Sequence, residues 1–261
     1  GEVLDKESVF AVSGGIYRSI DGILIWYKLD GNFPQSIEPG ETGHQSFGFK
    51  FNPLISGQRN IYSRPSINLE VRFKGTRFAE GRESGSIIEN VLLRKIKISS
   101  DLQLTARALY YIGPFKNSGK LPPTRDKETT YTINWSVVNS SNDVSGVTVR
   151  ATLPSYVRWI GAFSPTDEDV TYDPTRSEIV WNVGDVRAGS GITTKAREMY
   201  FQVGLTPSIS QIGQFPNLTG DATISGIDTF SGTETRNVVR PTTMKLTTDP
   251  NLKSGEGRSV E

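Results

Sequence analysis

Short runs of strictly alternating apolar and polar residues constrain this chain more than any other feature. Tyr131, Ile133, Trp135 and Val137 alternate with Thr132, Asn134 and Ser136. Ile67, Leu69, Val71 and Phe73 alternate with Asn68, Glu70, Arg72 and Lys74, and Leu102 to Tyr110 and Val147 to Leu153 repeat the pattern. A period of two belongs to a half-buried strand. No window of about eleven residues carries the i, i+3, i+4, i+7 spacing of an amphipathic helix. Strands recur roughly every eight to twelve residues between Gly, Pro, Asn and Asp clusters, which predicts an all-β sandwich.

One phrase occurs twice. Tyr172-Asp-Pro-Thr-Arg-Ser-Glu-Ile-Val-Trp181 reads as a strand, a turn opened by Asp173-Pro174, and a second strand pinned by a buried Trp. Tyr17-Arg-Ser-Ile-Asp-Gly-Ile-Leu-Ile-Trp26 has the same step from Tyr to Trp. The copies then stay in step. Phe47 to Phe51 matches Tyr200 to Leu205, Val71 to Gly75 matches Ala222 to Gly226, and Ile96 to Ile98 matches Met244 to Leu246. Tyr17, Trp26, Trp135, Tyr172 and Trp181 are therefore the expected core anchors.

The copies differ at their beginnings. About seventy residues separate Asp101 from Tyr172, whereas sixteen precede Tyr17. The first copy therefore lacks counterparts of the strands at Leu102, Tyr131 and Val147. The expected division is a partial sandwich over 1–100, a complete one over 101–247, and a polar linker or tail over 248–261. Residues 1–16 read as mixed, with Ser13-Gly14-Gly15 as a turn. Asp30-Gly31-Asn32 reads as another turn, Thr76 to Ser86 as a loop or long hairpin tip, Gly113 to Lys127 as a surface loop, and Val238 to Leu246 as the last strand. A sandwich missing three strands bares an apolar face and unpaired edges. Two covers are open: an upstream part of a longer polypeptide, or strands added by a neighbouring subunit. The start at Gly1 reads as a processed or excised segment.

Composition narrows the chemistry. The 261 residues hold no Cys, so disulfides, thiolate catalysis and thiolate metal sites are excluded. The net charge of +1 supplies no global attraction for nucleic acid. No apolar run is long enough to span a bilayer as a helix.

The second copy resembles the conserved-repeat, immunoglobulin-like modules of unknown function found in bacterial and archaeal cell-surface proteins. The resemblance rests on Tyr131-Thr-Ile-Asn-Trp-Ser-Val-Val-Asn139, Val144-Ser-Gly-Val-Thr-Val-Arg-Ala-Thr-Leu-Pro154, Val170-Thr-Tyr-Asp-Pro174, Ile179-Val-Trp-Asn-Val-Gly184 and the turn at Ala188-Gly189. The first copy matches only the later half of the module. The resemblance implies tandem immunoglobulin-like β-sandwich domains in long exported proteins, serving as stalks, sheaths, adhesins or envelope layers, with no catalytic residues and no cofactor.

Few residues suggest a site. The single His44 sits in a turn and reads as solvated. Asp167, Glu168, Asp169 and Asp173 could gather oxygen ligands for calcium, although they lack a loop motif with regular ligand spacing. Arg72, Lys74, Arg77, Arg82, Lys95 and Lys97 make the first copy locally basic; a solvated or edge-protecting face competes there with a polyanion site. Asn134-Trp-Ser, Asn139-Ser-Ser and Asn217-Leu-Thr have glycosylation-acceptor form. A Lys–Asn cross-link would suit a Cys-free stalk, but spacing selects no pair. The expectation is a non-enzymatic structural repeat of an extracellular filament or surface protein. Its partners would be neighbouring domains or copies of itself. The alternative is a module that binds carbohydrate or another surface partner through loops at the sandwich ends, such as Gly113 to Lys127 or Thr76 to Ser86.

Overall fold

The structure, a computed structural model, describes residues 3–12, 14–27, 36–52, 62–78 and 85–261. The strands are β1 (Leu4–Ala11), β2 (Ile16–Arg18), β3 (Ile23–Ile25), β4 (Phe47–Phe51), β5 (Ser66–Arg77), β6 (Ser86–Lys97), β7 (Leu102–Leu109), β8 (Thr129–Asn139), β9 (Val144–Thr152), β10 (Val157–Ser164), β11 (Asp169–Asp173), β12 (Glu178–Val186), β13 (Arg197–Leu205), β14 (Ala222–Asp228) and β15 (Glu234–Val239). A single 3-10 turn, Ile209–Gln211, is the only helical element among the described residues. The chain forms two compact units, Gly1–Ser56 with Pro65–Ile98, and Gly57–Arg64 with Ser99–Glu261. The expected turn at Asp30-Gly31-Asn32, Ser13, Arg82 and the hairpin tip over 79–84 lie outside the described residues.

The second unit is a β-sandwich of immunoglobulin type. One sheet has the order β10-β13-β8-β7 and the other β11-β12-β9-β14-β15, with antiparallel pairing throughout. Alternation puts Tyr131, Ile133, Trp135 and Val137 of β8 inside with Met199, Phe201, Val203 and Leu205 of β13. They pack in one cluster with Val147, Val149 and Ala151 of β9 and Ile179, Trp181 and Val183 of β12. Trp135 meets Phe201 edge-on at 4.9 Å, Trp159 lies 5.5 Å from Phe201, and Trp159 stacks on Tyr172 at 5.5 Å. Trp135 and Trp181 are fully buried and Tyr172 is half-buried.

The first unit repeats six of these strands. Its hairpin pairs Tyr17 with Leu24 and Arg18 with Ile23, as Tyr172 pairs with Ile179 and Asp173 with Glu178. Both connections place a left-handed residue five positions after the Tyr: Gly22 (φ 69°) and Ser177 (φ 50°). β1 pairs with β4 through Leu4–Phe51 and Ala11–Phe47; β10 pairs with β13 through Val157–Leu205 and Ser164–Tyr200, with a bulge between the paired ends in both cases. Phe73 lies opposite Asn90 on β5 and β6 as Ile224 lies opposite Asn237 on β14 and β15. Thus β1–β6 correspond to β10–β15, and among the described residues no strands are equivalent to β7, β8 and β9. The stretch read as mixed, residues 1–16, supplies β1.

That omission changes burial. Ile224 is fully buried, whereas its counterpart Phe73 is 43% exposed. Tyr17 and Trp26 are half-buried, and Trp26 meets Phe47 edge-on at 6.3 Å. Ile88, Val71 and Leu92 share the Phe73 face of the β5–β6 ribbon and are similarly exposed.

Two sequence expectations need correction. The last strand is Glu234–Val239, not Val238 to Leu246; Arg240-Pro241 ends it, since Pro cannot donate to a ladder, and Met244 and Leu246 reach the core from irregular backbone. Residues 248–261 are not a loose linker or tail. The buried Asp249 carboxylate accepts from the Tyr110 and Tyr111 amides at 2.7 and 2.8 Å. Val260 is buried, and Val260 and Glu261 make backbone hydrogen bonds to Gly213, Gln214, Pro123 and Arg125.

The loop between β14 and β15 is anchored by another acid. Fully buried Asp228 accepts from the amides of Ser100 (2.6 Å), Phe230 (2.9 Å) and Ser231 (2.7 Å), and from Asn142 Nδ2 (2.9 Å). Burial alone would raise its pKa; the donors outweigh it and hold the carboxyl below its ordinary value. Its stabilising contribution is therefore present above about pH 4 and is lost as pH falls through the lowered native value. Asp228→Asn turns an amide donor toward two existing donors. The expected cost at pH 7 is about 2–4 kcal/mol in denaturant unfolding of the second unit, with the gap from wild type narrowing below about pH 4.

Candidate functional site

An open concavity lies wholly in the second unit. It is a cleft of about 560 Å³ lined by Gly113 and Pro114, by Ser164, Pro165 and Glu168 between β10 and β11, and by Lys195 to Glu198 and Tyr200 at the start of β13. Glu168 organises one wall. Its side chain is 8% exposed, and Oε2 accepts from Trp181 Nε1 at 2.8 Å and from Arg197 at 2.9 Å. A core indole thus fixes the carboxylate, and the carboxylate fixes the guanidinium. Tyr200 Oη donates to Glu198 at 3.4 Å; burial, then the Glu198 charge, raise the phenol's pKa. The polar side chains on its walls are Lys195, Glu198, Tyr200 and an Arg197 already paired with Glu168.

The four acids proposed for calcium are not brought together. Glu168 is committed to Trp181 and Arg197. Asp169 accepts from Asn182 Nδ2 at 2.9 Å, and Asp173 accepts from the Thr175 and Arg176 amides as the cap of its own turn. Asp169 and Asp173 stand at opposite ends of β11. Among the described residues no group of three or more His, Cys, Asp or Glu could hold a metal ion.

Other candidates also have structural partners. Arg72 pairs with Glu70, and Lys74 with Glu89 at 3.4 Å, so part of the basic strip is neutralised along its own ribbon. His44 is exposed. Asn139 is fully buried and its Nδ2 donates to the carbonyls of Asn142, Val186 and Arg187, which removes it as a glycan acceptor. Asn134 is also buried, and accepts from Arg107 Nε at 2.9 Å. Asn217 remains half-buried on an irregular segment.

The surface loop from Gly113 to Lys127 is held down. Tyr110 Oη donates to the Gly119 carbonyl at 2.6 Å, Asn117 Nδ2 donates to Thr132 Oγ1 at 2.9 Å, and Lys120 pairs with Glu261 at 2.9 Å. Gly119 (φ 100°) is required: a Cβ there would stand 2.6 Å from the Thr129 Cα. Only the Gly113-Pro114 end of this loop reaches the cleft. Lys195, Arg197 and Glu198 carried no sequence signal, because segments near 113, 165 and 197 converge only in the fold.

No protein-family model and no curated protein matches the sequence. Among solved structures, BcpA, the major pilin subunit of Bacillus cereus, aligns over 93% of this chain and 63% of its own at 9% identity and a TM-score of 0.36. The full-length major pilin SpaD from Corynebacterium diphtheriae aligns over 55% of this chain and 34% of its own at 10% identity and a TM-score of 0.32. The chain therefore spans less than two thirds of either pilin. Likeness at these scores decides neither family nor role, and the all-β fold stands on the observed sheets. Among the described residues no helix is long and apolar enough to cross a membrane.

Glu168→Ala should destabilise the second unit by about 1–3 kcal/mol, because it leaves the Trp181 indole N–H buried without an acceptor. Thermal unfolding measures this. The same assay with millimolar calcium should show an unchanged melting temperature in the wild-type chain.

Proposed function

We propose that this chain is a non-catalytic structural repeat segment of an exported cell-surface or filament protein. The observation that supports it best is the duplication: β1–β6 repeat β10–β15 in order of pairing and in turn conformation, with an irregularity in both the β1–β4 and the β10–β13 pair. Repeated sandwiches give a protein reach and stiffness from one small folding unit. The apolar face left on β5 and β6 suits a module built to join others of its kind. Extracellular placement, a tandem arrangement of the two units, and contacts with neighbouring domains or further copies belong to this reading.

A second reading draws on the cleft. Tyr200, Arg197, Lys195 and Glu198 line a cleft that suits a hydrogen-bonding ligand such as a surface glycan or an extended peptide. Saturable glycan binding by a monomer, lost in Arg197→Ala, would favour it over the structural role.

Electron microscopy of the native material should show fibres, sheaths or a surface lattice with a repeat set by single modules. Isolated particles that never assemble would contradict the structural role.

A further inference from the structure

We propose that the first unit is completed by three β-strands patterned like β7–β9, delivered by polypeptide that runs into β1 from its N-terminal side. This concerns the first unit alone and goes beyond the structural role proposed above.

The repeat specifies where such strands go. In the second unit β8 pairs with β13, while β9 lies between β12 and β14 and pairs with both. The counterparts of those three partners are β4, β3 and β5. Among the described strands β4 pairs only with β1, β3 only with β2, and β5 only with β6. Each therefore presents the edge that β8 or β9 occupies in the second unit. Among the described residues, all three edges correspond to one element without a counterpart, the β7–β8–β9 segment.

The faces agree with the edges. Val71 and Phe73 correspond to Ala222 and Ile224, which are at most 1% exposed under the sheet that contains β8; Val71 and Phe73 are 44% and 43% exposed. An edge with an apolar flank is a strand-accepting surface.

Connectivity selects the occupant. β9 ends at Thr152 and β10 begins at Val157, so the strand between β12 and β14 must finish within a four-residue reach of β10. Leu4 is the counterpart of Val157. A strand inserted between β3 and β5 in the matching direction therefore ends beside the start of β1. Chain already joined to β1 reaches that place with little loop-closure cost, whereas a strand from a separate molecule also loses its translational freedom. A second copy offering its own β7–β9 would have to open its own core.

The test compares residues 1–261 with the natural polypeptide carrying the stretch of about 55 residues before Gly1, the span from Leu102 to Val157 in the complete unit. Native-state hydrogen exchange is read at the amides of β3, β4 and β5, with β12 and β13 as the reference protected in both chains. The expected result is exchange slowed on the order of a hundredfold in the longer chain. Phe73→Asp should abolish that protection there and leave the shorter chain unchanged. Three results overturn the proposal: a preceding sequence without three alternating strands, equal exchange in the two chains, or protection of 1–261 alone that grows with concentration. The last would assign the surface to a second copy. None of them bears on whether the native material forms fibres.

Discussion

Pairing of a central strand on both sides is the interaction on which this structure depends. β8 carries hydrogen bonds to β13 and β7, and β9 to β12 and β14. Each also turns alternate side chains into the same cluster. A strand so placed satisfies its backbone groups and buries its apolar face at once. Where both strands are present, Trp135 and Trp181 are sealed. Where their counterparts are missing, the same hairpin and ribbon form with the same register, yet Trp26 is only half-buried and Phe73 is open. Local hairpin chemistry therefore survives without the core, and burial does not.

Much of this was legible from residue order because the signals were local. The step from Tyr to Trp, the turn residues between them, and the alternation from Tyr131 to Val137 each act over a few positions. They located the Tyr-to-Trp hairpins, the strands of the complete unit other than β15, and the three strands without counterparts in the first unit. β1 was missed for a definite reason. Its bulge lies between Asp5 and Phe10 and breaks the period of two, so residues 1–16 read as mixed. β15 was displaced toward Met244 because Glu234 and Arg236 look like loop residues, while Met244 and Leu246 are buried without belonging to a strand.

The cleft and the C-terminal stretch were illegible for another reason. Their order comes from contacts between segments far apart in sequence. Asp249 looks like a solvated acid until the Tyr110 and Tyr111 amides are seen to need an acceptor. Glu168 looks like one member of an acidic turn until Trp181 and Arg197 claim it. A polar composition predicts loops; it does not say which loops are held by an acid that caps someone else's backbone.

The central claim is that β1–β4 and β10–β13 are one arrangement built twice. A Cys-free chain permits a direct measurement: paired cysteines placed across each sheet, oxidised and scored by mass. Ala11 with Phe47 and Ser164 with Tyr200 are directly opposed, so both pairs should close into disulfides at comparable rates. Pairs displaced by one residue point to opposite faces and should stay reduced. Closure of a displaced pair in the first unit, with the opposed pair unreactive there but reactive in the second, would show that the two arrangements are not the same.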